Sequence, residues 1–468
     1  MKSFKLPYII LAAGVFILIF NIILGGSLTS KYSEINGSYK TNKVEVNVLN
    51  NSNSLENSSF SQDDMQHLQK FAFKNTTTAY VAEKKSSVSY KNSHSDAEIY
   101  GISDKYAMFH QIKLKSGSLV TPGDKNELVA VVDETCAEAL FNNDNVVGMH
   151  IELFNQKFKI IGVIDSDKSI LQILTENGLG SVYIPVEQML LYDMDSKITS
   201  FEVNLSSSGT TGQNISKVTE ALTSIGKSAD NYKIIDYNIE KVILAQKDLL
   251  MVFILGIVSI LILLLAVKDK SVYICSMIKS DLKGNYLKDV LRMRSALVII
   301  SVVEIALLVT FIYLIWVTVK FNIYIPPNFV PSELIDTTFY SELFKSLIQD
   351  KVRNVGYVPT YPEMKLNLLS IMQNISFSIE LLTGFPLYFL ALKLLKLKEE
   401  NVFKTLLYCC ILLILLVILA LIILLILKMP ITINVKGVIL VFTFIFLTLL
   451  RYLAIKNKIY IDNKEECI

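Results

Sequence analysis

"LVAVVDETCAEALFNNDNVVGMHIELFNQKFKIIGVI", Leu128–Ile164, sets two periodicities side by side. It opens on "LVAVVD", a short valine-rich apolar run that suits a strand, and passes directly into "ETCAEALF", which suits a helix. "MHIELFNQKFKIIGVID" then alternates apolar and polar residues on both sides of Asn155-Gln156, the pattern of a β-hairpin. Strand, helix and hairpin in succession describe a folded domain of mixed α and β structure.

The same grammar fills the polar segment from Thr29 to about Lys247. Strands are expected in "KVEVNVLN", "TTAYVAEKKSSVSY", "DAEIYGI", "GSVYIP", "SFEVNL" and "YKIIDYN". "SQDDMQHLQKFAF" reads as a helix with Ser61 as its N-cap and with Met65, Leu68 and Phe71 on one face. "SKVTEALTSIG" reads as another helix, and "LNNSNSLENSS" as a polar loop. From about Ile239 a helical pattern without Gly or Pro runs into the next apolar stretch, forming a stalk. No internal repeat is visible.

On either side of this domain the chain changes solvent. Of 468 residues, 52% are hydrophobic, and the mean hydropathy is +0.45. Both values belong to integral membrane proteins. The first apolar run, Leu6–Leu28, exceeds a signal-peptide core and is expected to stay as a membrane anchor. Further runs fall at Leu249–Val267, Ala296–Val319, Leu368–Leu395, Thr405–Leu427 and from Gly437 to Ala454. Each supplies the roughly 20 residues of a span, which gives about six transmembrane helices. The expected divisions are a first span at 1–28, an outer domain with its stalk at 29–247, and spans two and three at 248–319. An outer loop at 320–366, a fourth span at 367–396 and an added hairpin of two spans with a tail at 397–468 complete the chain.

Lys and Arg gather in the segment Lys268–Arg294, in "KLLKLKEENVFK", after the last span and before the first. By the positive-inside rule these segments and both termini are cytoplasmic, and residues 29–247 are outside. The net charge of +2 argues for no nucleic-acid partner. Cys136 is the only cysteine of the outer domain, so no disulfide forms within it. His67, His94, His110 and His150 show no metal-ligand spacing, and no metal or cofactor is expected. Gly226-Lys227-Ser228 lacks the earlier glycine of a phosphate loop, Ala221 standing in its place. No nucleophile–base motif is present, so no catalytic residue is assigned. Asn57, Asn75, Asn204 and Asn214 head incidental glycosylation sequons.

Two carboxylates, Glu304 and Glu380, lie inside spans. They suit either a proton or ion relay, or side chains that are neutral or hydrogen-bonded to neighbouring helices. In the cytoplasmic stretch "LKGNYLKDVLRMR", Leu287, Val290 and Leu291 share one face at helical spacing, and Lys288 and Arg292 share another. Gly284 before them suits a sharp turn. The residues alone fit an amphipathic helix on lipid headgroups or a helix docked into a protein.

The chain resembles the MacB/FtsX type of ABC transporter permease. Leu128–Ile164 follows the pattern of that family's core domain, with Gly148 and Gly162 in its two glycine places and "VYIP" as the next strand. Gly284, Asp289 and Val290 stand where the family carries a glycine followed by "DV" or "DI", and "GFPLYFLALKLLK" resembles the end of its fourth span. Departures are Ser276-Met277-Ile278 for an acidic "EIG", Leu387 for an alanine, the long loop 320–366 and the last two spans. The resemblance implies an α+β outer domain on an all-α membrane bundle. It also implies a homodimer or heterodimer of permeases and an ATPase on a separate chain, since this sequence has no Walker motif. Gly284, Leu287, Lys288, Asp289, Val290, Leu291 and Arg292 would then couple to that ATPase. The outer domain would release a peptide or lipid substrate or switch a cell-envelope protein. Two rival readings are a non-transporting sensor or scaffold in the plasma membrane and a proton-coupled transporter using Glu304 and Glu380.

Overall fold

A computed structural model of the protein describes residues 5–49, 58–165, 169–175, 178–205, 212–284, 286–326, 329–331, 333, 336–355, 357–395 and 402–465. The chain divides into two compact units. One holds Thr29–Ile243 and Tyr324–Ser370; the other holds Met1–Leu28, Leu244–Ile323 and Ile371–Ile468. The loop read in "LNNSNSLENSS" and the Lys-rich segment after the fourth span lie largely outside the described residues.

The first unit is built on one mixed sheet. Its strands are β1 (Val44–Val48), β2 (Thr78–Tyr90), β3 (Ser93–Ile102), β4 (Leu114–Gly117), β5 (Val129–Asp133), β6 (His150–Leu153), β7 (Gln156–Ile164), β8 (Gly180–Pro185), β9 (Ile198–Val203) and β10 (Tyr232–Asp236). They run in the order β10-β1-β9-β2-β3-β8-β5-β7-β4, and β6 pairs with both β2 and β7. β3 lies parallel to β8 and β5 parallel to β7, so each of these pairs needs a crossover. The crossover from β5 begins at Asp133, whose side chain accepts a 2.7 Å bond from the Cys136 backbone N–H and caps the helix Glu134–Phe141. That helix buries Cys136, Ala137 and Leu140 and ends at Asn142, with φ of 51°. Asn tolerates this left-handed geometry better than most residues.

The two glycines of the family pattern have different reasons. Gly148 has φ of +90° and open space around it, so backbone conformation requires it. At Gly162 a Cβ would fall 2.3 Å from the Ser118 carbonyl oxygen, so the close approach of β7 to the segment before Val120 requires it. The core between sheet and helices includes Phe158, Phe201, Val132, Ile184 and Leu222. Phe60 meets Phe201 edge-on at 5.2 Å. Each such side chain contributes roughly 1.5–3 kcal/mol through burial.

Two local expectations shift, and a third stretch is explained. Leu153 pairs with Gln156, so the hairpin turn is Phe154-Asn155, with φ of 52° and 58°, and Gln156 already belongs to β7. Two left-handed residues make the tight turn that matches strand twist. In "SQDDMQHLQKFAF" the α-helix covers only Gln62–His67, and a π turn follows over Leu68–Ala72. The wider turn rotates the face, so Met65, Leu68 and Phe73 are buried and Phe71 is exposed. Gly226-Lys227-Ser228 ends a helix: Gly226 has φ of +73°, and Lys227 Nζ donates to the Ser59 carbonyl at 2.9 Å.

The fold class read from the sequence, an α+β domain with an all-α transmembrane bundle, is the one observed. Among the described residues six helices are long and apolar enough to cross a membrane: Leu6–Ile35, Tyr237–Asp281, Ser295–Val319, Tyr361–Leu394, Leu407–Ile426 and Val435–Tyr452. The second is longer than its apolar core. It begins at Tyr237 and ends only at Asp281, 45 residues on, because "KDKSVYICSMIKSD" contains no Gly or Pro to stop it. The helix Ser295–Val319 has only 6% of its apolar window buried. The stretch 320–366, expected as a loop, contains a helix of its own, Thr337–Arg353, capped by Asp336.

Candidate functional site

The basic stretch before the third span folds as expected into a short helix, Leu287–Met293. Most of Lys268–Arg294 is not loop, because the preceding helix consumes it as far as Asp281. Arg294 Nε donates to Asp281 Oδ2 at 3.1 Å and closes the turn between the two helices. Leu287 and Leu291 are exposed, as are Lys288, Asp289 and Arg292. Val290 is not: at 1% exposure it faces its own chain, so it anchors the helix and leaves the docking face. Tyr286 and Met293 take its place as exposed apolar residues. Gly284 has no positive φ and open space where a Cβ would stand, so the turn there does not require glycine.

The structure does not pair the two intramembrane carboxylates with each other. Lys270 Nζ donates to Glu304 Oε2 at 2.6 Å across two helices, with both side chains half-exposed. Lys270 escaped notice as a partner because it lies beyond the apolar core of the second span. Glu380 is 2% exposed and heads a π turn, Glu380–Gly384. On the helix before it, Gln373 donates to Asp248, and Ser376 exchanges hydrogen bonds of 2.9 and 2.6 Å with Asn21. The three residues 373, 376 and 380 share one helix face, so polar side chains from the first, second and fourth spans meet along it.

A second polar cluster, not legible in the sequence, lies inside the unit of Thr29–Ile243 and Tyr324–Ser370. The alternation of "KVEVNVLN" suggests one wet face, yet β1 is buried on both. Lys43 Nζ donates to Glu202 Oε1 at 2.6 Å and to the Phe109 carbonyl at 3.1 Å. His110 Nε2 lies 2.8 Å from Glu202 Oε2. Burial holds His110 below its ordinary range, so the neutral ring donates. Burial pushes Glu202 up, but His110 and Lys43 outweigh it and keep the carboxylate well below its usual range. Next to it, Glu45 accepts from the Tyr237 hydroxyl, from Asn47 Nδ2 at 2.9 Å and from Thr360 Oγ1 at 3.4 Å. Glu45 therefore touches the first residue of the long helix Tyr237–Asp281. A further carboxylate, Glu363, accepts from Lys233 and from the Tyr357 hydroxyl.

Burial, helped by the charge of Glu202, raises Glu45 from 4.5 to about 7. A raised folded-state value means that folding favours the protonated acid. Its contribution to stability is full below about pH 4.5 and lost as pH rises through about 7. Glu45→Gln keeps a neutral side chain at every pH. The variant is expected to gain on the wild type by on the order of 3 kcal/mol between acid and alkaline buffer, read by chemical denaturation of the purified chain. A stability difference independent of pH would remove Glu45 from this role.

Among the described residues no group of His, Cys, Asp and Glu could hold a metal ion. Comparison with known proteins bears on the outer domain. Residues 9–225 match the family of the MacB-like periplasmic core domain. The macrolide export ATP-binding/permease protein MacB of Aggregatibacter actinomycetemcomitans is 33% identical over 78 residues, 16% of this chain and 12% of that protein. An uncharacterized ABC transporter permease, YknZ of Bacillus subtilis (strain 168), is 24% identical over 188 residues, 39% of this chain and 46% of that one. The chain thus spans less than half the length of these two relatives. Among solved structures, the periplasmic region of MacB from Actinobacillus actinomycetemcomitans aligns over 42% of this chain and 90% of its own, at 23% identity and a TM-score of 0.35. The extracellular domain of YknZ aligns over 41% and 99%, at 18% identity and a TM-score of 0.33.

Proposed function

We propose a role that starts from family: this chain is a multi-pass ABC transporter permease of the MacB/FtsX type, with a MacB-like periplasmic core domain at residues 9–225. In this role it is the membrane subunit of a transporter. A separate ATPase moves the cytoplasmic helix Leu287–Met293, and that movement reaches the outer domain. The outer domain then releases a peptide or lipid, or switches a cell-envelope partner. Two permease chains, identical or different, would flank the ATPase.

The observation that carries this reading is the single helix Tyr237–Asp281. At 1.5 Å per residue it is about 67 Å long, enough to cross a bilayer with turns to spare at each end. Its first residue is held by Glu45 on β1, and its last is tied by Arg294 to the end of the short helix. A helix fixed at both ends transmits displacement with little loss. In this reading the exposed Leu287 and Leu291 are the apolar anchors, while Lys288 and Arg292 at the rim steer encounter. Glu304, paired with Lys270, serves as a brace between two spans.

The orientation makes a prediction of its own. Both termini and Cys275 are placed inside, and residues 29–247 outside, by the Lys and Arg distribution. Cys275 is exposed in this chain. A membrane-impermeant maleimide applied to intact cells is expected to label an Asn92→Cys variant and to leave Cys275 unmodified until the cells are opened. Labelling of Cys275 in intact cells would invert the topology.

The direct test of function is purification of the chain from its native membrane in mild detergent. An ABC ATPase is expected to be recovered with it, released when ATP-binding residues of that ATPase are mutated. Recovery of folded chain with no ATPase, under conditions that keep other transporters whole, would favour a scaffold.

A further inference from the structure

The polar stripe inside the membrane unit has a feature that mechanical transmission does not use. Glu380 is 2% exposed and Gln373 is 3% exposed, yet the Oε1 atom of each has no hydrogen-bond partner among the described residues. Glu380 lies within electrostatic range of Asp248, and its side chain is hydrogen-bonded with Asn21. Asp248 sits against the first span so closely that a Cβ on Gly25 would fall 2.0 Å from its carboxylate. The amide of Gln373 donates to Asp248, while Lys247, the nearest cation on that helix, turns instead to Asn374.

Among the described residues this arrangement sets two acids together, with the half-buried Lys247 the cation that acts on Asp248. Two carboxylates in mutual range within an apolar surrounding do not both ionise, because each raises the cost of the other's charge. An unpaired carboxylate at bilayer depth also costs several kcal/mol on insertion scales of about 2.5–3.5 kcal/mol per charge. A carboxylic acid there costs far less, and the Asn21 side chain is within hydrogen-bond reach of it. The π turn at Glu380 is consistent with a ligand position, since such turns recur at functional sites. We propose that Glu380, with Asp248, forms a proton-binding site built into the contact of the first, second and fourth spans. Protonation is the ligand event: the O–H bond forms at the Glu380 carboxyl, and the proton is taken from water. The charged and titratable groups around it are Asp248 and Lys247 on the second span; the first span offers the neutral Asn21, and the fourth Gln373, Asn374 and Ser376. The site stands apart from the ATPase reading and is tested without nucleotide.

The test uses the full chain in lipid vesicles and a membrane-permeant cyclohexylcarbodiimide, which reacts with protonated carboxyls in apolar surroundings. Labelled positions are mapped by mass spectrometry from about pH 5 to about pH 9. Glu380 is expected to carry the label at acid pH and to lose it as pH rises. Glu380→Gln should lose the label entirely. Asp248→Asn, which removes the neighbouring negative charge, should move the midpoint down. Should the reagent fail to reach the stripe, the infrared carbonyl stretch of a protonated acid, compared between wild type and Glu380→Gln, reads the same proton. A Glu380 signal that stays constant over the whole range, or is absent by both methods, overturns the proposal.

Discussion

Lys43→Met is expected to destabilise the outer domain by about 3–5 kcal/mol, the cost of leaving a buried charge without its partner. The Lys43 side chain is fully buried, and that of Glu202 is 4% exposed. With the ammonium gone, Glu202 keeps one neutral donor, His110, and either stays charged in an apolar interior or takes a proton. Both outcomes weaken the native state. Methionine keeps the stem of lysine, so the loss reports charge more than volume. The paired variant Lys43→Met with Glu202→Met removes both charges and is expected to recover most of the loss. The measurement is urea unfolding of the intact chain, followed by the far-UV signal of the sheet. A single variant within about 1 kcal/mol of wild type would show that the buried pair contributes nothing specific.

The second large effect is on partner binding. Leu287→Asp with Leu291→Asp is expected to lower recovery of the ATPase by about a hundredfold or more. Interface anchors contribute on the order of 1–3 kcal/mol each, and a charge placed in an apolar groove adds a desolvation cost. Both leucines are exposed, at 55% and 41%, so their replacement should leave the fold intact. Lys288→Glu with Arg292→Glu separates the two partners that the sequence allows: it should weaken attachment to anionic vesicles if lipid is the partner. Undiminished ATPase recovery with the aspartate pair in place would end the docking proposal.

What the sequence revealed follows from how each signal is encoded. The outer strands and the apolar spans were legible because their patterns are local: alternation for β6 and β7, sustained apolarity for the six helices. The buried cluster was not, because its members come from β1, β9, the segment at Phe109 and His110, and residues near Thr360, and no window contains them. Lys43, Glu45 and Asn47 alternate with the valines of that stretch, and the chain that covers them is distant in sequence. Val290 failed for the opposite reason. Helical spacing groups it with Leu287 and Leu291, but a seven-residue helix has no room to keep two faces distinct, and this residue packs inward. Gly284 suits a sharp turn, and its ordinary backbone shows that composition alone does not identify a constrained glycine.

The third span bears on how the membrane itself enters. Ser295–Val319 has 25 residues and almost no protein packed along it. At 1.5 Å per residue it is about 37 Å long, longer than a hydrocarbon layer of about 30 Å. A helix held by neighbours keeps its tilt, whereas one surrounded by acyl chains leans until its apolar length fits the layer. Arg294 joins its first residue directly to Leu287–Met293. On the proposed topology, a change in bilayer thickness is expected to change the angle at which that short helix leaves the membrane, so that lipids of different chain length would tune it without altering a single residue.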